Sequence, residues 1–265
     1  MSTSPSRLPG QAMSLIQLSN VTKRYDAAGQ ALTVLSDVSF EVGEGEFISI
    51  VGPSGCGKST LLHTIAGFTK PTEGRVLKGG RAIEQPGPDR AVMFQEYSLY
   101  PWKTVLDNVA LALKPKRVSR AEREAIARDY LRLVQLEGFE HHYPSQLSGG
   151  MQQRVSIARC LASGPDVILM DEPFSALDAL TRDLMQEEIL KIRERERKTV
   201  LLVTHSIDEA VFMSDRVLVM SRRPGHIKEV VTIDLPRPRT LAMRAADPAF
   251  IACRERLTAS LRKEV

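Results

Sequence analysis

The residues whose types and spacing best suit a chemical function stand between Gly52 and Thr60. The stretch reads Gly-Pro-Ser-Gly-Cys-Gly-Lys-Ser-Thr, with three glycines ahead of a lysine and two hydroxyl residues. Glycines at this spacing let a loop fold closely around a ligand, so that its backbone N–H groups cradle phosphate. Lys58 would supply a point charge for the β- and γ-phosphates, and the Ser59 hydroxyl is placed to hold Mg²⁺. The spacing therefore predicts a nucleotide-binding loop.

The segments on either side of this loop favour the same interpretation. Residues 47–51 form a short apolar run with β-branched side chains, which suits a buried parallel strand. Residues 61–66 have helical character and are followed by Gly67, a residue that commonly ends a helix. A strand, a glycine loop and a helix in this order form a phosphate site, so a turn that binds nothing is the weaker explanation.

A second set of polar residues follows apolar runs later in the chain. One run leads directly into Asp171 and Glu172. An aspartate at the end of a buried strand beside a phosphate loop is suited to hold Mg²⁺, and a glutamate next to it can orient or deprotonate an attacking water. His205 ends another apolar run, a good position for sensing a γ-phosphate. Gln95 ends a third, where doubly wound sheets bind ligands.

Three further features each admit two interpretations. Ser148 and the two glycines after it begin a helical segment. This helix start is either a second anion-binding site or a plain N-cap. Tyr25 is either a half-buried strand residue, which its surroundings favour, or a ring stacked on a base. Residues 97–102 hold two of the five tyrosines and the only tryptophan, Trp102. That aromatic cluster is either a core anchor or a groove that docks a partner.

These residues must be positioned by alternating strands and helices, which predicts an α/β fold with a parallel or mixed sheet. Helical patterns with Thr104 and Ser119 as N-caps predict a helical insert over residues 96–160. Strand-like segments near the start are separated by a turn near Ala28 and Gly29, and a hairpin is predicted around Gly79 and Gly80. The apolar stretch Arg216–Met220 reads as the last core strand.

Length and composition restrict the class of protein. The 265 residues are enough for one large α/β domain or for a core with a small subdomain, and 43% hydrophobic with 26% charged residues is ordinary for a soluble globular protein. No apolar run reaches the eighteen residues of a membrane span. Residues 1–13 predict a disordered leader without the apolar core of a signal peptide. The net charge of +4 comes without a run of five like charges that would mark a nucleic-acid arm.

The cysteines point to a compartment rather than to a site. Cys56, Cys160 and Cys253 are widely scattered, with neither the pairing of a disulfide framework nor the spacing of metal ligands. Three such cysteines favour a reducing cytoplasm.

Taken together, the motifs resemble the ATP-binding subunit of a bacterial ABC transporter, over about residues 15–235. The resemblance implies a P-loop NTPase (RecA-like) core, an N-terminal antiparallel β subdomain and an inserted helical subdomain. It implies an ATPase domain over residues 14–235 and a C-terminal tail with a short helix over residues 236–265. The family pattern at the second helix start is Leu-Ser-Gly-Gly-Gln, and here Met151 stands at the Gln position.

The resemblance also implies ATP and Mg²⁺ as cofactors and a role for each residue. The catalytic residues are Glu172, His205, Lys58 and Gln95. The Mg²⁺ ligands are Ser59, Asp171 and Gln95. The residues that bind ATP are Tyr25 (stacked on adenine), Gly52, Pro53, Ser54, Gly55, Cys56, Gly57, Lys58, Ser59 and Thr60 (the Walker A loop), Ser148, Gly149 and Gly150 (the signature motif) and Asp178 (the D-loop).

A finer likeness, in residues 99–102, 204–211 and 222–226, is to the ATPases of importers for nitrate, sulfonates, taurine and related small solutes. It implies a head-to-tail homodimer on two membrane permease subunits, with each ATP between one Walker A loop and the partner's signature helix. An extracytoplasmic solute-binding protein would belong to the same system. The chain would be a peripheral protein at the cytoplasmic face of the bacterial inner membrane.

Two other functions compete with an importer. An ABC-type ATPase that acts on nucleic acid or the ribosome usually carries long coiled-coil or zinc-bearing insertions, or two such domains, and neither is present in this sequence. No nucleic-acid partner is therefore expected. A P-loop kinase would leave the Ser148 stretch and His205 unexplained.

Overall fold

Five parallel strands form the centre of the molecule. They are β3 Phe47–Val51, β6 Arg90–Met93, β7 Val167–Asp171, β8 Thr199–Val203 and β9 Arg216–Met220. Their order across the sheet is β9-β3-β8-β7-β6. The structure is a computed structural model that describes residues 14–27 and 30–264, so the expected leader and the turn near Ala28 lie outside the described residues.

The three middle strands are buried along their whole length. Strands with both faces covered read as continuous apolar runs, which is why the sequence makes them easy to find. The one polar residue in β3 is Ser49, whose hydroxyl forms a hydrogen bond with the hydroxyl of Ser214. Because the Ser49 hydroxyl has a buried hydrogen-bond partner, this polar residue can stand within a fully buried strand.

A sixth strand, β10 Ile227–Thr232, runs antiparallel beside β9 and makes the sheet mixed. Arg216–Met220 was predicted as the last core strand, and the edge strand β10 that follows it was not predicted. β10 lies at the sheet edge and alternates between partly buried and exposed residues, with Val230 43% exposed. A half-exposed edge strand lacks the apolar run that marked the others, so its signal in the sequence is weak.

A second, antiparallel sheet precedes and partly covers the first. Its strands are β1 Ser14–Ala27, β2 Gln30–Gly43, β4 Glu73–Lys78 and β5 Arg81–Ala82, in the order β2-β1-β4-β5. The predicted hairpin at Gly79 and Gly80 joins β4 to β5, and both glycines have positive φ. The predicted N-terminal antiparallel β subdomain is confirmed.

Three helices form an insert between β6 and β7, which are parallel neighbours. They are α2 Val105–Leu111, α3 Arg120–Leu133 and α4 Gly149–Ala162, after α1 Lys58–Ala66 earlier in the chain. The Thr104 and Ser119 side chains accept hydrogen bonds from backbone N–H groups three residues on, at 3.2 Å each. Both predicted N-caps are present, because each hydroxyl satisfies a donor that the helix leaves unpaired.

The remaining helices pack on the same face of the central sheet as the helical insert, since their buried residues belong to one hydrophobic cluster with it. They are α5 Ala179–Glu196, α6 Ile207–Met213, α7 Met243–Ala246 and α8 Pro248–Arg262. Asp247 caps α8 and Pro248 begins it, and Phe250 and Leu257 of this helix are fully buried. Within the part of the chain that the structure describes, none of the helices is long and apolar enough to span a membrane.

The buried side chains fall into two clusters, one on each face of the central sheet. The first includes Ile48 and Ile50 of β3 together with α1 and the antiparallel sheet. The second includes Phe47 and Val51 together with the helical insert. Because successive residues of a strand point to opposite faces, one short strand holds both cores in register. The carboxyl ends of the strands are thereby fixed between two packed layers.

Candidate functional site

The carboxyl ends of β3, β8 and β7 bring together the polar residues that the sequence singled out. The three strands are direct neighbours in the sheet, and all run in one direction. The phosphate loop follows β3, His205 lies two residues beyond β8, and Asp171 ends β7 with Glu172 directly after it. Gln95 lies exposed two residues beyond β6, the strand that pairs with β7. In a parallel sheet this edge is where ligands bind.

The phosphate loop requires glycine at two positions. Gly57 is the N-cap of α1 with φ of 107°, and a Cβ there would lie 2.8 Å from Leu35 Cδ2. At Gly52 a Cβ would lie 3.0 Å from both Cys56 Sγ and Met220 Cβ. These contacts leave no room for a side chain, so the backbone of the loop can approach a ligand only because glycine stands here.

Lys58 lies across the inside of the loop. Its amine donates hydrogen bonds to the carbonyl oxygens of Gly52 at 2.8 Å and Pro53 at 2.9 Å. Ser54 and Gly55, at the tip of the loop, are exposed, and Ser59 and Thr60 stand in the first turn of α1. The loop therefore combines the Lys58 amine with the N-terminus of α1, and these donors fit polyphosphate.

The Cys56 side chain is buried within the loop, with its Sγ 4.0 Å from the Lys58 amine. Its side chain is only 1% exposed, and burial raises the pKa of its thiol. The backbone of Cys56, rather than its sulfur, is the part that can contact phosphate.

The Ser59 hydroxyl, at the start of α1, lies beside the Asp171 carboxylate at the end of β7. Asp171 is 4% exposed, and burial raises the pKa of its carboxyl above the ordinary value, although the Ser59 hydroxyl acts to lower it. Two neighbouring oxygen ligands fit Mg²⁺, which keeps most of its other ligands as water and substrate phosphate. Among the described residues there is no cluster of three or more His, Cys, Asp and Glu side chains that could hold a metal by itself.

Glu172 leaves the strand direction as soon as β7 ends. Its φ of 48° lies in the left-handed region, which a residue with a side chain rarely adopts, and its N–H donates to Val203 O at 2.9 Å. The turn brings the carboxylate Oε2 to 3.4 Å from Nδ1 of His205. The Glu172 side chain is 22% exposed and that of His205 is 68% exposed. A partly shielded carboxylate beside an exposed imidazole is suited to hold a water and accept its proton.

Gln153 belongs to this site, although the sequence analysis gave it no role. Its side chain is 1% exposed; Nε2 donates to Glu172 O at 3.2 Å, and Oε1 accepts from Ala176 N at 3.0 Å. The amide thus fastens α4 to the turn that carries Glu172. A glutamine at an inward position of an apolar helix pattern is the sequence signal that could have identified it.

The start of α4 is held by a helix cap and by close packing of its glycines. The Ser148 hydroxyl caps the helix by accepting from Met151 N at 3.3 Å, and Ser148 is exposed. A Cβ at Gly149 would lie 2.9 Å from the Tyr97 hydroxyl, and one at Gly150 would lie 3.3 Å from Ala176 O. The two glycines therefore allow close packing against neighbouring loops of the same chain.

Met151, Asp178 and Tyr25 are the remaining residues that the sequence singled out. Met151, at the position where the family has Gln, packs against the larger hydrophobic cluster. Asp178 caps α5 by accepting from Thr181 N at 3.0 Å. Tyr25 is a residue of β1, but its side chain is 41% exposed and the Lys23 amine lies 4.8 Å from the ring centre. The exposed ring leaves room for stacking.

A family model described as ABC transporter matches residues 35–175. The taurine import ATP-binding protein TauB of Rhizobium johnstonii is 51% identical over 239 residues, which are 88% of this chain and 90% of the relative. The nitrate import ATP-binding protein NrtD of Synechococcus elongatus is 47% identical over 237 residues, 88% of this chain and 86% of the relative.

Among solved structures, the fold is similar to a dimeric ATP-binding cassette in a post-hydrolysis state, bound to ADP and Pi. The TM-score is 0.78 and the sequence identity 37%, with 83% of this chain and all of the other chain covered. The family match extends over the phosphate loop, the acidic turn and the helical insert.

Proposed function

The chain belongs to the ABC transporter family of ATP-binding proteins and is an ATPase; from that premise we propose that it powers the uptake of a small nitrate-, sulfonate- or taurine-like solute through a partner permease. The observation that carries the enzymatic part is the meeting of Lys58, the Ser59–Asp171 pair and the Glu172–His205 pair at one sheet edge. The solute class rests on the relatives, two of which are named for taurine and nitrate import.

Each residue at the edge has a distinct task in ATP hydrolysis. The Lys58 amine exchanges loop carbonyls for the β- and γ-phosphate oxygens and neutralises their charge. Ser59, Asp171 and, beyond the neighbouring strand, Gln95 would hold Mg²⁺, which would supply charge stabilisation to the phosphates. Glu172 positions a water and accepts its proton, and His205 orients the Glu172 carboxylate from 3.4 Å.

The start of α4 completes the site of a second copy. Ser148 is exposed, and with glycine at the next two positions no side chain covers the first turn, where a helix leaves N–H groups unpaired and suited to phosphate. Two copies facing head to tail would place the Ser148 helix of one copy over the phosphate loop of the other, with Asp178 near the contact and the adenine on Tyr25. The dimeric state of the related cassette supports this arrangement.

The aromatic cluster is the surface for the permease. Trp102 is 71% exposed and Tyr100 39%, and their ring centres lie 5.7 Å apart. Beside Tyr100 is a cavity of about 690 Å³ between β6 and the helical insert, with Phe94, Leu111 and Arg159 among its lining residues. An apolar groove with an aromatic rim fits a short helix, and its position next to Gln95 would connect the nucleotide to the permease.

The assembly that follows is two copies of this chain on two permease subunits, at the cytoplasmic face of the inner membrane. A solute-binding protein on the other side would deliver the solute. The alternative, an ABC-type ATPase that acts on nucleic acid or the ribosome, gains no support from the relatives.

Co-purification tests the importer assignment. The tagged chain is expressed in its own cells and captured from detergent-solubilised membranes. The expected result is a complex with two permease subunits, and loss of nitrate or taurine uptake when the gene is deleted. Capture with ribosomes or DNA instead, together with ATPase activity stimulated by nucleic acid, would establish the alternative.

A further inference from the structure

A turn that follows β9 lies against the outside of the phosphate loop. This turn, residues 221–226, connects β9 to β10 and is called here the return turn. Its Gly225 donates to Val34 O at 2.8 Å and accepts from Ser36 N at 3.0 Å, so it pairs with β2. A Cβ on Gly225 would lie 2.1 Å from Cys56 O. The return turn is therefore packed directly against the backbone of the phosphate loop.

Arg223 of the return turn holds one carbonyl of the loop. Its Nε and Nη2 atoms donate to Gly55 O at 3.0 Å and 2.8 Å. Two donors of one rigid guanidinium converge on a single oxygen, and hydrogen bonds from a charged donor are stronger than those between neutral groups. The contact spans 168 residues of sequence and involves no other side chain.

The orientation of that carbonyl decides where the next N–H points. In a trans peptide the C=O and the N–H point in opposite directions. With Gly55 O directed outward to Arg223, the Cys56 N–H is directed into the loop, where it lies 3.3 Å from Pro53 O. Gly55 has φ of 73°, and a glycine can also leave that conformation easily. A restraint from outside the loop therefore matters at this peptide.

We propose that Arg223 is a positioning residue for nucleotide binding, which holds the Gly55–Cys56 peptide so that the phosphate loop is preorganised. The proposal rests on the assigned function, since it takes MgATP and MgADP as the ligands. Arg223 acts through the Gly55 carbonyl and not through a contact with phosphate. Both nucleotides should therefore depend on it, because both occupy the same loop.

The chain offers a matched control next to Arg223. Arg222 carries the same charge, but its backbone N–H and its Nε donate to Glu264 at the C-terminal helix and not to the loop. Arg222→Ala and Arg223→Ala remove the same charge from nearly the same place. A difference between them therefore reports on the Gly55 contact rather than on the local potential.

Two measurements on the full chain separate positioning from other roles. The first is the equilibrium Kd of MgATP and of MgADP. The second is the alkylation rate of Cys56 without nucleotide at fixed pH, followed by peptide mass spectrometry. Cys56 is 1% exposed, so the rate reports how often the loop opens. We expect Arg223→Ala to raise both Kd values about three- to tenfold, as loss of a typical intramolecular hydrogen bond does, and to speed alkylation. Arg222→Ala should stay within about twofold of wild type.

Each outcome decides the question. Equal Kd values and equal alkylation rates in the two alanine variants would overturn the proposal. A loss of affinity for MgATP only, with alkylation unchanged, would also overturn it in favour of a direct phosphate contact. If Arg223→Ala does not fold, Arg223→Lys, which keeps the charge and one donor, should give a smaller rise in both Kd values, and no rise would count against positioning. Failure of the wild-type chain to bind either nucleotide would instead contradict the proposed function.

Discussion

The edge of the central sheet and the start of α4 both present groups suited to phosphate, but they differ in how those groups are satisfied. At the sheet edge, Lys58 is bonded to carbonyls of its own loop, and Asp171 and Glu172 each lie against a polar side chain from another segment of the chain. At the start of α4, Ser148 is exposed and its hydroxyl satisfies only its own helix. One region is therefore organised within this chain, whereas the other, in the proposed two-chain arrangement, would serve a second copy.

The largest expected effect concerns the base at the sheet edge. Glu172→Gln keeps the shape and removes the basicity, so kcat for ATP hydrolysis should fall by about 10²–10⁴-fold, the usual contribution of a general base. The Kd of MgATP should change little, because Glu172 does not hold the phosphates. Single-turnover hydrolysis and nucleotide binding measure the two effects. Hydrolysis at the wild-type rate would remove Glu172 from the mechanism.

The next effect tests whether His205 belongs to the same site at the sheet edge. His205→Ala leaves the phosphate loop intact but removes the group 3.4 Å from the Glu172 carboxylate. Turnover should fall about tenfold or more, which corresponds to about 1.4 kcal/mol of barrier, with MgATP affinity retained. Steady-state kinetics separate the two quantities. A rise in KM with an unchanged kcat would mean that His205 only binds nucleotide.

A smaller effect is expected on the surface beside the helical insert. Trp102→Ala should weaken association with the permease about tenfold, as loss of a tryptophan at the centre of an interface commonly does, and leave basal ATP hydrolysis intact. Tyr143→Ala is the control, since Tyr143 is also an exposed aromatic residue of the insert, at 45%. Binding to permease-containing vesicles measures the difference. Equal binding of the two variants, or unfolding of Trp102→Ala alone, would contradict the docking surface.

The smallest effect is one of stability and has a definite sign. Burial raises the pKa of Asp171 in the folded state, so ionisation costs folding free energy, and stability is lost as pH rises through that pKa. At neutral pH Asp171→Asn should therefore abolish Mg²⁺-dependent hydrolysis yet raise Tm by about 2–4 °C, the shift that about 1 kcal/mol produces in a domain of this size. The gain should vanish in acid, below the normal range of a carboxyl group.

Asp178→Asn provides the control for that sign. A hydrogen bond from the Thr181 backbone N–H lowers the pKa of Asp178, and the group is exposed. Asparagine caps helices about as well as aspartate, so Tm should not rise. Thermal scans at pH 7 compare the two variants, and an equal rise in both would show that the buried charge is not the cause.

Short stretches of the sequence were enough to predict much of the fold and of the candidate site. The loop from Gly52, the caps at Thr104 and Ser119, and the acid pair at Asp171 each depend on a few neighbouring residues, and each is where the pattern predicts.

The features that the sequence did not predict depend on contacts across long separations. β10 is an edge strand whose alternation is too weak to mark it. Gln153 acts through Glu172 and Ala176, 19 and 23 residues away, and Arg223 reaches Gly55 over 168 residues. No short window of sequence contains both partners of such a contact.

The most direct test of the proposed two-chain site is the oligomeric state of Glu172→Gln. Unhydrolysed MgATP should hold two copies together, because each phosphate loop would be covered by the partner's Ser148 helix. Size-exclusion chromatography with light scattering should give a dimer with MgATP and a monomer with MgADP or without nucleotide. Adding Ser148→Arg should restore the monomer without loss of MgATP binding, since Ser148 would serve only the other copy. A Glu172→Gln chain that binds MgATP and remains monomeric at high protein concentration would contradict the shared site.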